Sequence, residues 1–294
     1  MMKVRFGVSL GTDVGPEALA DVVDRLEAEG VDSLWFSELV YSPAIDPTVG
    51  MAFALARTRH LKVGTSVAVL PGRHPVLVAK QLLSMAALAP KRVLPVFGLR
   101  PALPVERDLF VVPEGKRAAV FDESLTLLRR VLRDDAVTFA GEFFSVRDAS
   151  ITPKPAAPLD VWLGGSSPAG YQRVGTYADG WLGSFLTPDE TRTALADIRA
   201  AAEKAGRHVP DDHFGINVAV GTGDLPAPVR AAVHARRPDL DPAELVASDW
   251  PALHAMLDGY IAAGLTKFVI RPLGSTDTGE FLNTFVKEIL PRQN

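Results

Sequence analysis

A chain of 294 residues with 47% hydrophobic and 22% charged side chains can bury one large core or two modest ones, and it reads as a soluble globular protein. It has no cysteine, which excludes disulfides, thiolate catalysis and thiolate metal sites, and a net charge of −4 without a long basic tract argues against nucleic acid as a partner. No apolar run reaches the roughly 18 residues of a membrane span, and the opening MMKVRFGVSLGTD lacks the regions of a signal peptide, so no membrane partner and a cytoplasmic location are expected.

Strand and helix signals alternate along the chain. Val4 to Ser9 predicts a strand, and Gly15-Pro16 opens a helix ended by Gly30. Ser33 to Ser37 predicts the second strand, and Asp46-Pro47 caps the next helix. Leu61 to Val69 is a nearly continuous β-branched run cut off by Pro71-Gly72, the third strand. Gly64, Thr65 and Ser66 interrupt it, and a small, polar break in a buried strand suggests a bulge or a close approach of ligand to backbone. A helix over Pro75 to Leu88 and a fourth strand over Arg92 to Phe97 follow.

Gly98 to Pro113 is a long proline-containing loop, read as a lid or wall. After a helix over Glu114 to Leu132, residues 136–150 read as an inserted β-hairpin, and Thr152-Pro153-Lys154-Pro155 as a stiff connector within one domain. Leu159 to Leu163 predicts strand five, and Gly164-Gly165-Ser166-Ser167-Pro168 turns into a helix. Strand six spans Gly180 to Phe185, Thr187 to Glu190 forms a capping box, and Phe214 to Val220 is strand seven. An insertion runs to about Pro238, Asp241 to Glu244 repeats the capping device at the head of a helical region ended by Gly264, Lys267 to Ile270 is strand eight, and Asp277 to Leu290 closes the chain.

Eight strands alternating with helices predict one α/β domain over 1–294, a (β/α)₈ TIM barrel with insertions after strand four, before strand five and after strand seven. The alternative is an open doubly wound sheet, but the first turn, Gly11-Thr12-Asp13, is not a dinucleotide fingerprint. In a barrel the chemistry belongs at the C-terminal strand ends, which here read Ser9 to Gly11, Ser37-Glu38, Thr65 to Val69, Phe97-Gly98, Gly164 to Ser167, Gly183 to Phe185, Val220-Gly221 and Arg271.

These ends hold a single carboxylate, Glu38, too few for a metal site or a glycosidase pair, so no metal is expected. Lys3, Lys62 and Lys267 precede their strands, which argues against a Schiff base. A site poor in acids and bases but rich in glycine and serine suits an organic cofactor that brings its own reactivity. Gly164 to Ser167 precedes a helix N-terminus, which suits a phosphate, although a plain Ser-Pro helix cap explains it equally well. Glu38 is either a solvated loop carboxylate or a group acting on cofactor or substrate. Tyr41 and Arg100, on loops at the predicted mouth, are either substrate contacts or ordinary surface.

The run Gly64-Thr65-Ser66-Val67-Ala68-Val69, with Arg73 and Pro75 behind it and Ala89-Pro90-Lys91-Arg92-Val93 beyond, resembles the bacterial luciferase-like superfamily. Gly30 to Trp35, Phe121-Asp122-Glu123, Pro153-Lys154-Pro155, Gly164-Gly165 and Ala178-Asp179-Gly180-Trp181 carry the same resemblance, in family order, over nearly the whole chain. Within that superfamily the sequence is most similar to the branch using the deazaflavin coenzyme F420.

The resemblance implies hydride transfer between F420 and an organic substrate, with a cis Ser66-Val67 bond under the ring. It implies cofactor contacts from Ser37, Thr65, Ser66, Val67, Gly98, Gly164, Gly165, Ser166 and Ser167, and a catalytic role for Glu38. It also implies a homodimer. The alternatives are a monooxygenase using FMN and O₂ with a separate reductase, or a noncatalytic flavin-binding relative. Two positions depart from the family pattern: Leu39 stands where a histidine is common, and Phe97-Gly98-Leu99-Arg100-Pro101 replaces a turn that carries an acid in the sugar-phosphate dehydrogenases.

Overall fold

Residues of alternating orientation along short parallel strands build this chain into a barrel filled by side chains and jacketed by helices. The computed structural model describes residues 3–10, 14–273 and 277–294; the Gly11-Thr12-Asp13 turn lies outside them. In chain order the elements are β1 (Arg5–Ser9), α1 (Pro16–Ala28), β2 (Ser33–Phe36), α2 (Pro47–Arg57), β3 (Lys62–Thr65), β4 (Ala68–Val69), α3 (Pro75–Leu88), β5 (Val93–Leu94) and β6 (Val96–Gly98). Then come α4 (Arg117–Arg133), the hairpin β7 (Val137–Ala140) and β8 (Ser145–Ala149), β9 (Trp162–Gly164), α5 (Pro168–Tyr177), β10 (Gly180–Ser184), α6 (Pro188–Lys204) and β11 (Phe214–Val220). The chain ends with α7 (Ala227–Arg236), β12 (Val246–Ala247), α8 (Trp250–Ala263), β13 (Lys267–Pro272) and α9 (Thr278–Glu288).

Parallel pairing runs β6-β9-β10-β11-β13-β1-β2-β3, and the ring closes because β3 pairs with β5 and β4 with β6. The third and fourth barrel strands are therefore each in two pieces. The third is broken at Ser66-Val67, whose peptide bond is cis, and the fourth at Pro95, which has no N–H to give a ladder.

Side-chain alternation divides the core in two. Phe6, Val8, Leu34, Val63, Ile216, Phe268 and Ile270 face the helices. Trp35, Val96, Trp162, Leu182 and Val269 fill the barrel, with Val67 and Leu94 packed against them. Trp35 is thus interior.

Two expectations are corrected. The fifth strand starts at Trp162 instead of Leu159, because its neighbour β6 begins only at Val96, opposite Trp162, and the backbone before it has no ladder to join. The capping box at Asp241 and Glu244 is present but caps only the 3₁₀ turn Pro242–Glu244. There the apolar Leu245 and Val246 bury against Ala219, Leu225 and Val233, the chain pairs beside β11 as β12, and α8 starts afresh under its own Asp249 cap. The 98–113 loop contains a 3₁₀ helix, Pro104–Leu109, pinned by the fully buried Glu106.

An ionic cluster ties the N-terminal ends of the strands together. The buried Asp32 accepts from Lys62 Nζ at 2.5 Å, Lys267 Nζ at 2.8 Å and Arg5 Nη1 at 3.4 Å. Burial pushes the Asp32 carboxyl upward, but Lys267 and Lys62 outweigh it and hold the group well below the ordinary carboxylate range. Burial also lowers the Lys267 pKa, and Asp32 offsets this only in part. Removing one partner of a buried pair strands the other charge. Asp32→Ala should therefore cost about 3–5 kcal/mol in urea unfolding, and adding Lys267→Met should recover part of that loss. The contribution from Asp32 should be complete above the ordinary carboxylate range and fade as pH falls below it.

Candidate active site

The break in the third strand forms one wall of the barrel mouth. At Val67 the side chain turns inward and lies between two glycines of neighbouring strands. A Cβ on Gly98 would lie 2.7 Å from Val67 Cγ2, and one on Gly164 would lie 2.9 Å from Val67 Cγ1. Gly64 makes the same kind of room for Trp35, since a Cβ there would sit 2.6 Å from the indole.

Ser66 Oγ donates to Asn217 Oδ1 at 2.8 Å, a bond that spans the barrel from the third strand to β11, while Asn217 Nδ2 reaches the Gly183 carbonyl at 3.4 Å. Ser37 Oγ donates to the Ser66 carbonyl at 3.2 Å. The Thr65 hydroxyl, by contrast, is spent on the fourth strand: it donates to the Val96 carbonyl at 2.6 Å and accepts from the Val96 amide at 2.8 Å. Thr65 is buried and, being opposite Phe36 in the ladder, lies on the helix-facing side.

Glu38 is not a solvated loop carboxylate. It is buried, with Oε2 accepting from the Val69 amide at 2.7 Å and Arg73 Nη1 at 2.9 Å, and Oε1 accepting from Arg73 Nη2 at 2.5 Å. Arg73 in turn lies over the Phe110 ring, 5.0 Å from its centroid. The pair thus joins the ends of the second and third strands to the 98–113 segment. That segment is held from a second side as well, because Glu106 Oε1 accepts from the Tyr41 amide at 2.8 Å. Glu106 Oε2 has no hydrogen-bond partner among the described residues.

On the other flank, Gly164 ends β9 and Gly165 has φ +119°, a conformation that favours glycine. The Gly165 carbonyl accepts from Trp181 Nε1 at 2.9 Å, Ser166 is exposed, and Ser167 Oγ caps α5 through the Gly170 amide at 3.2 Å. The result is a capped helix start with an open hydroxyl beside it. Arg173, further along α5, is paired with Asp122 at 2.5 Å. Tyr41 and Arg100 are both exposed.

The structure thus gathers Ser37, Ser66, Val67, Gly98 and Gly164 around the bulge and puts Gly165, Ser166 and Ser167 on the flank beside β9. Sequence reading missed Asn217 and Glu106. Asn217 is the one polar residue in the run Phe214 to Val220, a signal of the same kind as the break at Gly64 to Ser66. Glu106 had no such signal, lying among charged residues of a loop. Since the Glu38 carboxylate satisfies a buried amide and a guanidinium, Glu38→Gln and Arg73→Ala should each lower stability by about 1–3 kcal/mol. The double variant should cost clearly less than the sum of the two, as read by a double-mutant cycle of thermal or urea unfolding.

The comparisons with known proteins agree with this architecture. The model of the luciferase-like monooxygenase family matches residues 1–258. An F420-dependent glucose-6-phosphate dehydrogenase of Kineococcus radiotolerans is 26% identical over 94% of this chain and 93% of its own length. The enzyme of the same name from Nakamurella multipartita is 31% identical over 71% of this chain and 65% of its own. Among solved structures, an F420-dependent secondary alcohol dehydrogenase superposes over 100% of both chains with a TM-score of 0.84 at 17% identity. The coenzyme F420 dependent tetrahydromethanopterin reductase from Methanopyrus kandleri covers 99% of this chain and 100% of its own with a TM-score of 0.78 at 16% identity. At those identities the structural likeness speaks for the fold, and the match over residues 1–258 speaks for descent: the chain belongs to the luciferase-like monooxygenase family.

Proposed function

We propose that this protein is an oxidoreductase that transfers a hydride between coenzyme F420 and a small organic substrate. The observation that carries the reading is the seat of Val67. Clamped between Gly98 and Gly164, its side chain forms a fixed apolar ridge at the mouth, against which a planar ring can lie. The curated relatives that match over most of this chain are named as F420-dependent dehydrogenases, which supports this cofactor.

The residues present fit such a group. Ser66 and Val67 support the ring, Ser37 and Asn217 hold the bulge in place, and Gly165, Ser166 and the start of α5 receive the phosphate. F420, when bound, supplies a two-electron carrier whose ring carbon replaces the flavin nitrogen that supports oxygen chemistry. Glu38, with both oxygens engaged, acts as a positioning residue that fixes the bulge through Val69 and Arg73. Tyr41 and Arg100 are the substrate-facing candidates on the rim.

The phosphate seat suits FMN as well, so the family match keeps a second reading, a flavin monooxygenase served by a separate reductase. A homodimer is supported by exposed apolar side chains on adjacent helices, Val49 and Phe53 on α2 and Leu77 and Leu88 on α3.

Two measurements test the assignment. Purified apoprotein should quench F420 fluorescence with micromolar affinity and bind FMN distinctly less tightly; tighter FMN binding transfers the assignment to the monooxygenase reading. Gly98→Ala should push Val67 off its seat and weaken F420 binding by about tenfold while far-UV circular dichroism stays native. Unchanged affinity would remove Val67 from the cofactor site.

A further inference from the structure

The last barrel strand ends in a charge that no described residue balances. Along β13, Phe268 and Ile270 pack against the helices, while Lys267 and Val269 point into the barrel, Lys267 onto Asp32 and Val269 into the interior cluster. Arg271 continues the inward-facing row one layer higher, at the C-terminal end of the strand, and the register sets it opposite Ala219 of β11. It is exposed although its neighbours Ile270 and Pro272 are buried, as an inward side chain at an open mouth must be.

No hydrogen bond or ion pair to the Arg271 side chain occurs among the described residues. Nearly every other arginine facing the barrel ends is matched: Arg5 to Asp32, Arg73 to Glu38, and Arg129 and Arg207 to Asp179. The charged neighbour of Arg271 is instead another cation, Arg236, at the end of α7, which lies over the Phe185 ring 4.8 Å from its centroid. Phe185 directly follows β10, so Arg236 reaches over the mouth from the insertion after β11. Arg271 at the open strand end and Arg236 over Phe185 thus set two cations on this side of the mouth, with no carboxylate paired to either among the described residues, an arrangement that favours an incoming anion.

We propose that Arg271, with Arg236 beside it, is a subsite for the oxyanion, carboxylate or phosphate, of the substrate. The inference rests on the hydride-transfer reading and deepens it, since it makes the substrate an anion. The phosphate of the cofactor is not the occupant, because its seat ends β9, and β10 and β11 stand between β9 and β13. Arg271 is placed to form the forked pair that orients one end of the substrate over the ring held by Val67.

Calorimetric titration of the apoprotein with inorganic phosphate and with succinate tests the subsite, alongside F420 binding by fluorescence. The wild-type protein should bind at least one of the two anions. Arg271→Gln should weaken that binding about tenfold, Arg236→Gln should weaken it less, and Arg271→Lys should restore most of it. F420 affinity should stay within about twofold in all three variants, and Arg271→Gln should not lower the melting temperature, because no folded-state partner is lost. Anion binding that is absent in the wild type, or unchanged in Arg271→Gln, overturns the proposal. Loss of F420 affinity in step with anion affinity also overturns it, by assigning the arginines to the acidic tail of the cofactor. A wild-type protein that binds no F420 would instead sink the cofactor reading, while the anion titrations still decide the subsite.

Discussion

A buried backbone group must find a hydrogen-bond partner, and the break in the third barrel strand removes the usual ones. Below the break, β3 is paired on both sides, with β2 and β5. Above it, β4 pairs only with β6, because β2 has already ended at Phe36. The Val69 amide is left facing the side where β2 would have been, and the Glu38 carboxylate meets it there. On the opposite side the fourth strand is interrupted at Pro95, and the Thr65 hydroxyl takes both the amide and the carbonyl of Val96. Two side chains therefore replace ladder bonds on either side of the bulge. The bulge, the seat of Val67 and the shape of the mouth all depend on that substitution.

This explains which parts of the site were legible in the sequence. The interruption at Gly64 to Ser66 stands out because small, polar residues break an apolar β-branched run. Gly98 and Gly164 stand out as glycines at strand ends. The sense in which they serve was not legible: a glycine can admit a ligand or a neighbouring side chain, and here the nearest occupant is Val67. The engagement of Thr65 with the fourth strand was not legible either. A strand side chain is assigned to a face by counting in twos; Thr65, before the break, keeps the helix-facing side of Val63, whereas the break shifts the count and turns Val67 inward. The role of Glu38 was hidden because its partner, Arg73, lies 35 residues further on, beyond the strand whose ends the pair holds.

The fold itself was read more completely than the site because it rests on repetition. Capping residues such as Asp46, Thr187 and Glu190, and glycines such as Gly30 and Gly206, act within one turn of chain and can be recognised locally. The errors fall where a long-range contact overrides local preference, as at Asp241 to Val246. There a capping box is followed by apolar residues whose burial beneath α7 outweighs continuing a helix.

The two ends of the barrel treat charge in opposite ways. At the N-terminal end Asp32 gathers three cations, and Asp179 accepts from Arg129 at 2.8 Å and Arg207 at 3.0 Å, so desolvated charges are neutralised where they are buried. At the C-terminal end Glu38 holds Arg73, and Arg271 and Arg236 are left without a paired carboxylate among the described residues. In a barrel the first arrangement serves stability and the second serves binding. The insertion after β11 acquires a purpose in that light: its small core of Leu225, Val233, Leu245 and Val246 is anchored on Ala219, the residue beside Arg271 in the ladder. The packing that builds the insertion thereby carries Arg236 to the same side of the mouth, so that a segment outside the eightfold repeat sets the charge a substrate meets.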